Sequence, residues 1–439
     1  MDTEKEKISI KILTQGFYPD FVATGELMYE LALKLVESNM FEVSIITTQP
    51  SFVKKESLPK RETINGIDIN RLFSFKFDKN QLKGKVFNSF SFFFSVMHHL
   101  NFSKKVDWLL IPTSPPLLPL LGAYTKILKG QKYIFLMHDV YPEIAAKLGY
   151  IKKDGIIYKM WDILTGFALK KADKIIVLSD DMKDGLLKWL PVLDETQIDV
   201  IHNWANENLM KIIPTEENPF LDQFKLRDKF IVEYSGNIGQ LHEFDTLLHS
   251  AKALQNEKDI LFLFIGEGAK KHCIKEYIEN NNLDNIMILP YQKREDLAYS
   301  LGMADIHVLS LQEQYNHLAA PSKLYGILAS GKPVIFIGSQ KCYIARILEK
   351  NHCGFQVDIN DSEKLIHIIK EIKNNTGLFN ELSQNSRKTF EENYTLKKAT
   401  NNYYKFLYNK HFVDENQSVK THIEQPDLSF TGVRKSNMP

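Results

Sequence analysis

A chain of 439 residues, 44% hydrophobic and 25% charged, is long enough for two ordinary globular domains, each with its own core. A formal net charge of +1 argues against nucleic acid or another polyanion as the main partner. The three cysteines, Cys273, Cys342 and Cys353, are odd in number and lack metal-ligand spacing, which excludes a disulfide framework and a zinc site and points to a reducing compartment. The charged start, Met1 to Lys7, runs directly into a strand, so no secretion signal is expected. No window has the length of a membrane span without charge or proline, and the expected location is cytoplasmic.

Ile8-Ser9-Ile10-Lys11-Ile12-Leu13 alternates as a first strand. A loop containing Gly16 and Tyr18 follows, and Gly25 opens a helix with Leu27, Leu31 and Leu35 on one face. Strand, glycine-bearing loop and helix make the phosphate-facing corner of an open α/β sheet, although the dinucleotide glycine fingerprint is missing. Val43 to Ile46 is a second strand and Ile67 to Leu72 an edge-like third. From Lys83 to Lys105 six large apolar residues, Phe87 to Met97, are flanked by lysines. The segment reads either as a buried helix or as a helix resting on a membrane surface.

Asp107 to Ile111 and Lys132 to Met137 are further strands, the second ending on His138-Asp139-Val140-Tyr141-Pro142. Polar residues just past the carboxyl end of a parallel strand lie where such sheets bind ligands, though a lone histidine there is often structural. Strand Ile175 to Leu178 and the segment Asp199 to Trp204 close the first half.

The pattern then restarts. Phe230 to Tyr234 runs into Ser235-Gly236-Asn237-Ile238-Gly239, Leu261 to Ile265 into Gly266-Glu267-Gly268, and Asn285 to Pro290 into Tyr291-Gln292. Asp305 to Leu309 precedes the stretch Ala319 to Gly338, around which the chain is organised. Pro321 suits a first helical position, Gly331 the left-handed residue past the end, and Val334 to Ile337 a buried parallel strand. Lys323 lies in the first helical turn, where a cation opposes the helix dipole unless an anion binds. It is either a solvated surface lysine or half of a phosphate site. A last helical region is expected over Glu391 to Tyr408.

Together Tyr234 to Gly239, Gly266-Glu267-Gly268, Pro321-Ser322-Lys323 and Ala329 to Pro333 resemble the retaining glycosyltransferases of family four. His138 to Glu143 and Ile201 to Ala205 fit the bacterial subgroup that builds surface polysaccharides, which includes aminosugar transferases of O-antigen and capsule assembly. The resemblance implies an α/β chain of GT-B architecture, with two Rossmann-like domains facing across a cleft. Residues 1–205 would form the acceptor-side domain and 206–390 the nucleotide-sugar domain; 391–412 would cross back as a helix, and 413–439 read as a disordered tail.

It further implies a hexosyl or aminosugar transferase that uses a nucleotide sugar, with uridine the family-level base, and acts with retention and without metal or other cofactor. The acceptor would be a lipid-linked or glycan saccharide, and the protein peripheral on the inner membrane face, docked through Lys83–Lys105. His138 and Lys323 would be catalytic. Gly25, Ser235, Gly236, Asn237, Gly239, Glu267, Tyr291, Gln292, Pro321 and Ser322 would join Lys323 around the donor, and Tyr18, Asp139 and Tyr141 would face the acceptor. The chain departs from the family pattern where two glutamates are usual, at Leu318 and Gly326, and where a basic residue is usual, near Asn237 and Gln240. His242 is the nearest candidate cation in sequence. These departures keep two other readings open, a non-catalytic paralogue that binds a nucleotide sugar or scaffolds a partner, and a nucleotide-sugar epimerase.

Overall fold

The computed structural model describes residues 7–20, 23–49, 58–77 and 82–415. The first half forms one sheet from β1 (Ile8–Leu13), β2 (Phe41–Thr48), β3 (Arg61–Ile64), β4 (Ile67–Leu72), β5 (Trp108–Pro112), β6 (Tyr133–Met137), β7 (Lys174–Val177) and β8 (Ile198–Val200), in the order β3-β4-β2-β1-β5-β6-β7-β8. Alternation in β1 puts Ile8, Ile10 and Ile12 on one buried face, while β5, β6 and β7 are buried throughout. Neighbouring strands are parallel except β3 and β4. The expected edge strand Ile67–Leu72 is therefore not the edge, because β3 folds back against it. The turn is Asn65-Gly66, with φ of 51° and 77°, the backbone twist a two-residue hairpin needs.

The second half forms a parallel sheet from β9 (Phe230–Ser235), β10 (Ile260–Ile265), β11 (Ile286–Leu289), β12 (Ile306–Ser310), β13 (Val334–Ile337) and β14 (Gly354–Val357), in the order β11-β10-β9-β12-β13-β14. The organising helix runs Lys323–Ser330, two residues later than Pro321 suggests, with Ser322 at its cap position. Gly331 ends it at φ 67°, its N–H on the Leu328 carbonyl, and all four residues of β13 are buried. Both halves are thus Rossmann-like layers of parallel sheet and helix.

The expected helix over Glu391 to Tyr408 is two helices, Thr376–Asn393 and Leu396–Glu415. The break has a long-range cause. Ala205 pairs with Thr395, and the Glu207 carboxylate accepts from the Leu396 and Lys397 amides at 2.8 and 3.2 Å, capping the second helix from a distant loop. That helix packs on the first half: the Tyr404 ring stacks on Phe41 at 5.6 Å, and its hydroxyl donates to the Lys34 carbonyl. Residues 413–415 belong to it and not to a tail; residues 416–439, the rest of the expected tail, lie outside the described residues.

The Phe-rich segment is a helix, Leu82–Phe102, that satisfies neither sequence reading alone. Phe92, Val96 and Leu100 are buried against the sheet, whereas Phe87, Phe90, Phe94 and Phe102 are exposed. Among the described residues no helix is long and apolar enough to cross a membrane.

Candidate active site

The carboxyl ends of β9 and β10 turn sharply, and glycine is the reason they can. Gly236, Gly266 and Gly268 have φ of 126°, 144° and 156°. A Cβ on Gly266 would lie 2.0 Å from the Gly236 carbonyl oxygen, and one on Gly268 would lie 2.3 Å from that of Ile238. The two turns are packed back to back, tied by the Ile238 amide on the Glu267 carbonyl at 2.8 Å. Asn237 and Glu267 are exposed at their tips, and the Glu267 carboxylate pairs with Lys271 at 2.6 Å. Tyr291 stands beside them, half exposed, its hydroxyl 3.5 Å from the Glu267 carbonyl, and the Gln292 side chain turns back to the Pro290 carbonyl at 2.8 Å.

Lys323 reaches from its helix start into this glycine corner. Its Nζ donates to the Tyr234 hydroxyl, to the Asn237 carbonyl at 2.9 Å and to His242 Nε2 at 3.2 Å, and it lies 4.2 Å from the Tyr234 ring centroid. Its stem is so close to Gly236 that a Cβ there would be 2.5 Å from Lys323 Cε. Burial pushes the Lys323 ammonium down to about 7. No carboxylate neutralises it among these contacts; its partners are a hydroxyl, a carbonyl and an imidazole nitrogen, so near neutral pH the charge is only partly held.

His242 is not the spare cation that sequence proximity suggests. Its Nδ1 donates to the Ser310 carbonyl at 2.5 Å, leaving Nε2 as an acceptor facing Lys323. Burial first, and Lys323 second, push the imidazole down to about 3, so it is neutral. A second lysine close to His242 is Lys270, whose Nζ donates to the His242 carbonyl at 2.7 Å.

The first half meets this corner at the end of β6. Asp139 pairs with Ala319, and the Val140 amide donates to the Leu318 carbonyl at 2.9 Å, so the His138 segment is joined to the turn that leads into the Lys323 helix. Thr113 Oγ1, at the end of β5, accepts from the amides of His138 (3.1 Å) and Asp139 (3.3 Å). His138 Nε2 is buried and has no hydrogen-bond partner among the described residues. Burial lowers the imidazole to about 4 and raises the Asp139 carboxyl to about 6, so near neutral pH a neutral imidazole sits beside a carboxylate. Tyr141 stacks flat on Trp161 at 5.4 Å. At the two positions where the family usually carries glutamates, Leu318 is buried, and a Cβ on Gly326 would lie 3.4 Å from Leu301 Cδ1.

Gly25 lies in the Ala23–Glu37 helix, where a Cβ would be 2.5 Å from the Gly16 carbonyl oxygen, so the loop after β1 hugs the helix start. Tyr18 stacks on Tyr29 at 4.9 Å, and its carbonyl accepts from Arg71, which places it toward β4 and away from the centre of the sheet. One element escaped sequence reasoning entirely. Arg294, two residues past Gln292, crosses to the carboxylates of Glu26 and Glu30 on the Ala23–Glu37 helix, and Glu30 also accepts from Trp204 Nε1 (2.8 Å) and Asn206 Nδ2 (2.9 Å). Nothing in the local sequence Lys293-Arg294-Glu295 marks that partner.

Residues 25–209 match the family model described as Glycosyltransferase Family 4, and residues 217–389 the one described as Glycosyl transferases group 1. WbjE of Pseudomonas aeruginosa, named as a glycosyltransferase, is 31% identical over 273 residues, 62% of this chain and 67% of its own length. WcaI of Escherichia coli K12, named as a glycosyl transferase of colanic acid biosynthesis, is 26% identical over 34% of this chain and 36% of its own. Among solved structures, sucrose-phosphate synthase from Thermosynechococcus elongatus superposes with a TM-score of 0.74 at 15% identity, covering 93% of this chain and 100% of that one. Anabaena HepE, solved in complex with UDP and glucose, superposes with a TM-score of 0.69 at 11% identity, covering 92% and 100%.

Proposed function

This chain is a family-four glycosyltransferase of polysaccharide biosynthesis with the GT-B fold, and we propose that it moves a hexose or aminosugar from a UDP-linked donor to a lipid-linked saccharide, with retention and without a metal ion. The observation that carries the reading is Lys323, a cation without a carboxylate partner among its contacts, set at a helix start where two glycine turns meet. A nucleoside diphosphate is the leaving group of this chemistry, and its developing charge is the main thing to stabilise. Backbone N–H groups at the turns and the Lys323 ammonium supply that stabilisation without proton transfer.

On this reading Ser235, Gly236, Asn237, Gly239 and Glu267 line the donor with Pro321 and Ser322. Tyr291 and Gln292 meet the base, and Gly25 approaches the diphosphate from the other domain. His138, neutral and with Nε2 unpartnered, orients the sugar and polarises it beside the anomeric carbon. The transition state is oxocarbenium-like, and the acceptor hydroxyl attacks on the face the diphosphate leaves, handing its proton to the departing phosphate oxygen. Asp139, Tyr141 and Tyr18 form the acceptor side. The HepE complex with UDP and glucose supports the choice of base. The Phe-rich Leu82–Phe102 helix with its lysines supports a peripheral position on the cytoplasmic membrane face.

The test is thermal stabilisation by nucleoside diphosphates and their sugar conjugates, comparing wild type with Lys323→Ala. Saturating UDP is expected to raise the midpoint by about 5 °C in wild type, and the variant is expected to lose the shift. Absence of a shift with every nucleotide would overturn the donor site.

A further inference from the structure

A helix that covers a sheet is normally apolar inward and polar outward. The Ile156–Lys171 helix is apolar on both sides. Thr165, Gly166, Ala168 and Leu169 are buried. Yet Ile156 is 77% exposed and Ile163 70%, and Ile157, Met160, Leu164 and Phe167 are exposed with them. Positions 156, 160, 163 and 167 form a single stripe at helical spacing, with 157 and 164 along its side. One exposed apolar side chain is ordinary; six on one helix face are not. The helix Pro119–Lys129 packs beside it and also carries exposed apolar residues, Ile127 and Leu128.

The rim of the patch is basic. Lys152 and Lys153 precede the helix, Lys159 lies within it, and Lys170 and Lys171 end it, all exposed; against these five stand Asp154 before the helix and Asp162 within it, and Lys153 also pairs with Glu143 at 2.9 Å, which leaves the rim basic on balance and most so at Lys170 and Lys171. Protein–protein contact surfaces are depleted in lysine, whereas an apolar stripe edged by lysines complements an anionic bilayer. The stripe also lies next to the acceptor side of the site. Trp161 of this helix stacks on Tyr141, and the Tyr158 hydroxyl donates to the Glu143 carboxylate at 2.7 Å, both partners lying within five residues of His138.

We propose that the outward face of the Ile156–Lys171 helix seats in the acyl-chain boundary of an anionic bilayer, and that this seat presents the first sugar of a lipid-linked acceptor to His138. The second clause rests on the acceptor class given above; the bilayer contact does not. The Leu82–Phe102 helix, with exposed Phe87, Phe90 and Phe94, is the second lipid contact of the same domain.

Flotation of the full chain with phosphatidylethanolamine vesicles, with and without phosphatidylglycerol, tests the contact. Wild type is expected to float with the anionic vesicles. Met160→Glu/Ile163→Glu is expected to lower the vesicle partition coefficient by about tenfold or more, and Lys170→Glu/Lys171→Glu by about tenfold on anionic vesicles only. Both variants alter exposed side chains, so melting curves and turnover of a water-soluble acceptor with UDP-sugar are expected to match wild type, while turnover of a vesicle-embedded acceptor falls. Equal flotation of the glutamate variant, or no flotation of wild type, overturns the proposal. A wild-type dimer that the glutamate variant dissolves, with flotation unchanged, assigns the face to a second copy and overturns it as well. Loss of flotation with soluble turnover retained, but without loss on the embedded acceptor, overturns the delivery role alone. Failure of the donor assignment would show separately, as an absent UDP shift.

Discussion

On the second-domain side of the cleft the ligand edge is mostly backbone: Gly236, Gly266 and Gly268 adopt positive φ and pack so closely that a single Cβ would collide. On the first-domain side it is side chain: His138, Asp139 and Tyr141, held by Thr113 and Trp161. On the function proposed above, the contrast follows the chemistry each side would face. A diphosphate is the same in every donor, and rows of N–H groups recognise it without help from residue type. An acceptor varies from enzyme to enzyme, and side chains are what can vary with it. Lys323 is the exception on the backbone side, and it is where the comparison breaks most easily.

Lys323→Ala is therefore expected to have the largest effect, lowering kcat/KM by about 10³-fold through loss of charge opposite the leaving group. Steady-state kinetics against UDP-sugar checks it, and a loss confined to KM would instead mean that the lysine binds both states equally. His138→Ala is expected to lower kcat by about 10²-fold with UDP stabilisation intact, since the side-chain half can be damaged without touching the donor cradle. If His138→Ala also abolishes the UDP shift, the two halves are not separable.

Gly266→Ala sharpens the backbone side. A Cβ 2.0 Å from the Gly236 carbonyl must push the two turns apart, at about 2 kcal/mol of stability, with UDP affinity falling in parallel. Urea melts and UDP titrations on the same preparation would show both. The smallest effect is on pH. Burial lowers the Lys323 ammonium to about 7, so above that pH the free enzyme loses the cation. Donor affinity is expected to fall about fivefold between pH 7 and pH 8, with proton uptake on binding measurable by calorimetry in buffers of different ionisation heat. A flat profile would mean that the ammonium stays charged in the substrate-free chain.

Much of the backbone half could be read in advance because glycine has few other uses. Gly236, Gly266, Gly268 and Gly331 all occupy positions with φ above zero; the strand before Gly266 is a continuous apolar run, and the one before Gly236 is apolar apart from Glu233 and Ser235. The same logic was available for Asn65-Gly66, a hairpin signal in plain view that an edge-strand reading of Ile67–Leu72 overlooks. The side-chain half was less legible because its geometry comes from partners far away in sequence. Arg294 meets Glu30 across 264 positions, and Trp204 reaches Glu30 across 174. The break between the last two helices depends on Glu207 capping Leu396 from 189 residues away. His242 misled for a different reason: sequence shows a basic residue, but only the fold shows that Ser310 and Lys323 hold it as a neutral acceptor.

The amide that Val140 shares with the Leu318 carbonyl has a mechanical consequence. It leaves the His138 segment no slack of its own, because the same hydrogen bond anchors the turn that leads into the Lys323 helix. Only the turn from Leu318 to Ser322 separates that anchor from the start of the Lys323 helix, so a displacement of the helix start and a displacement of the His138 segment are mechanically coupled.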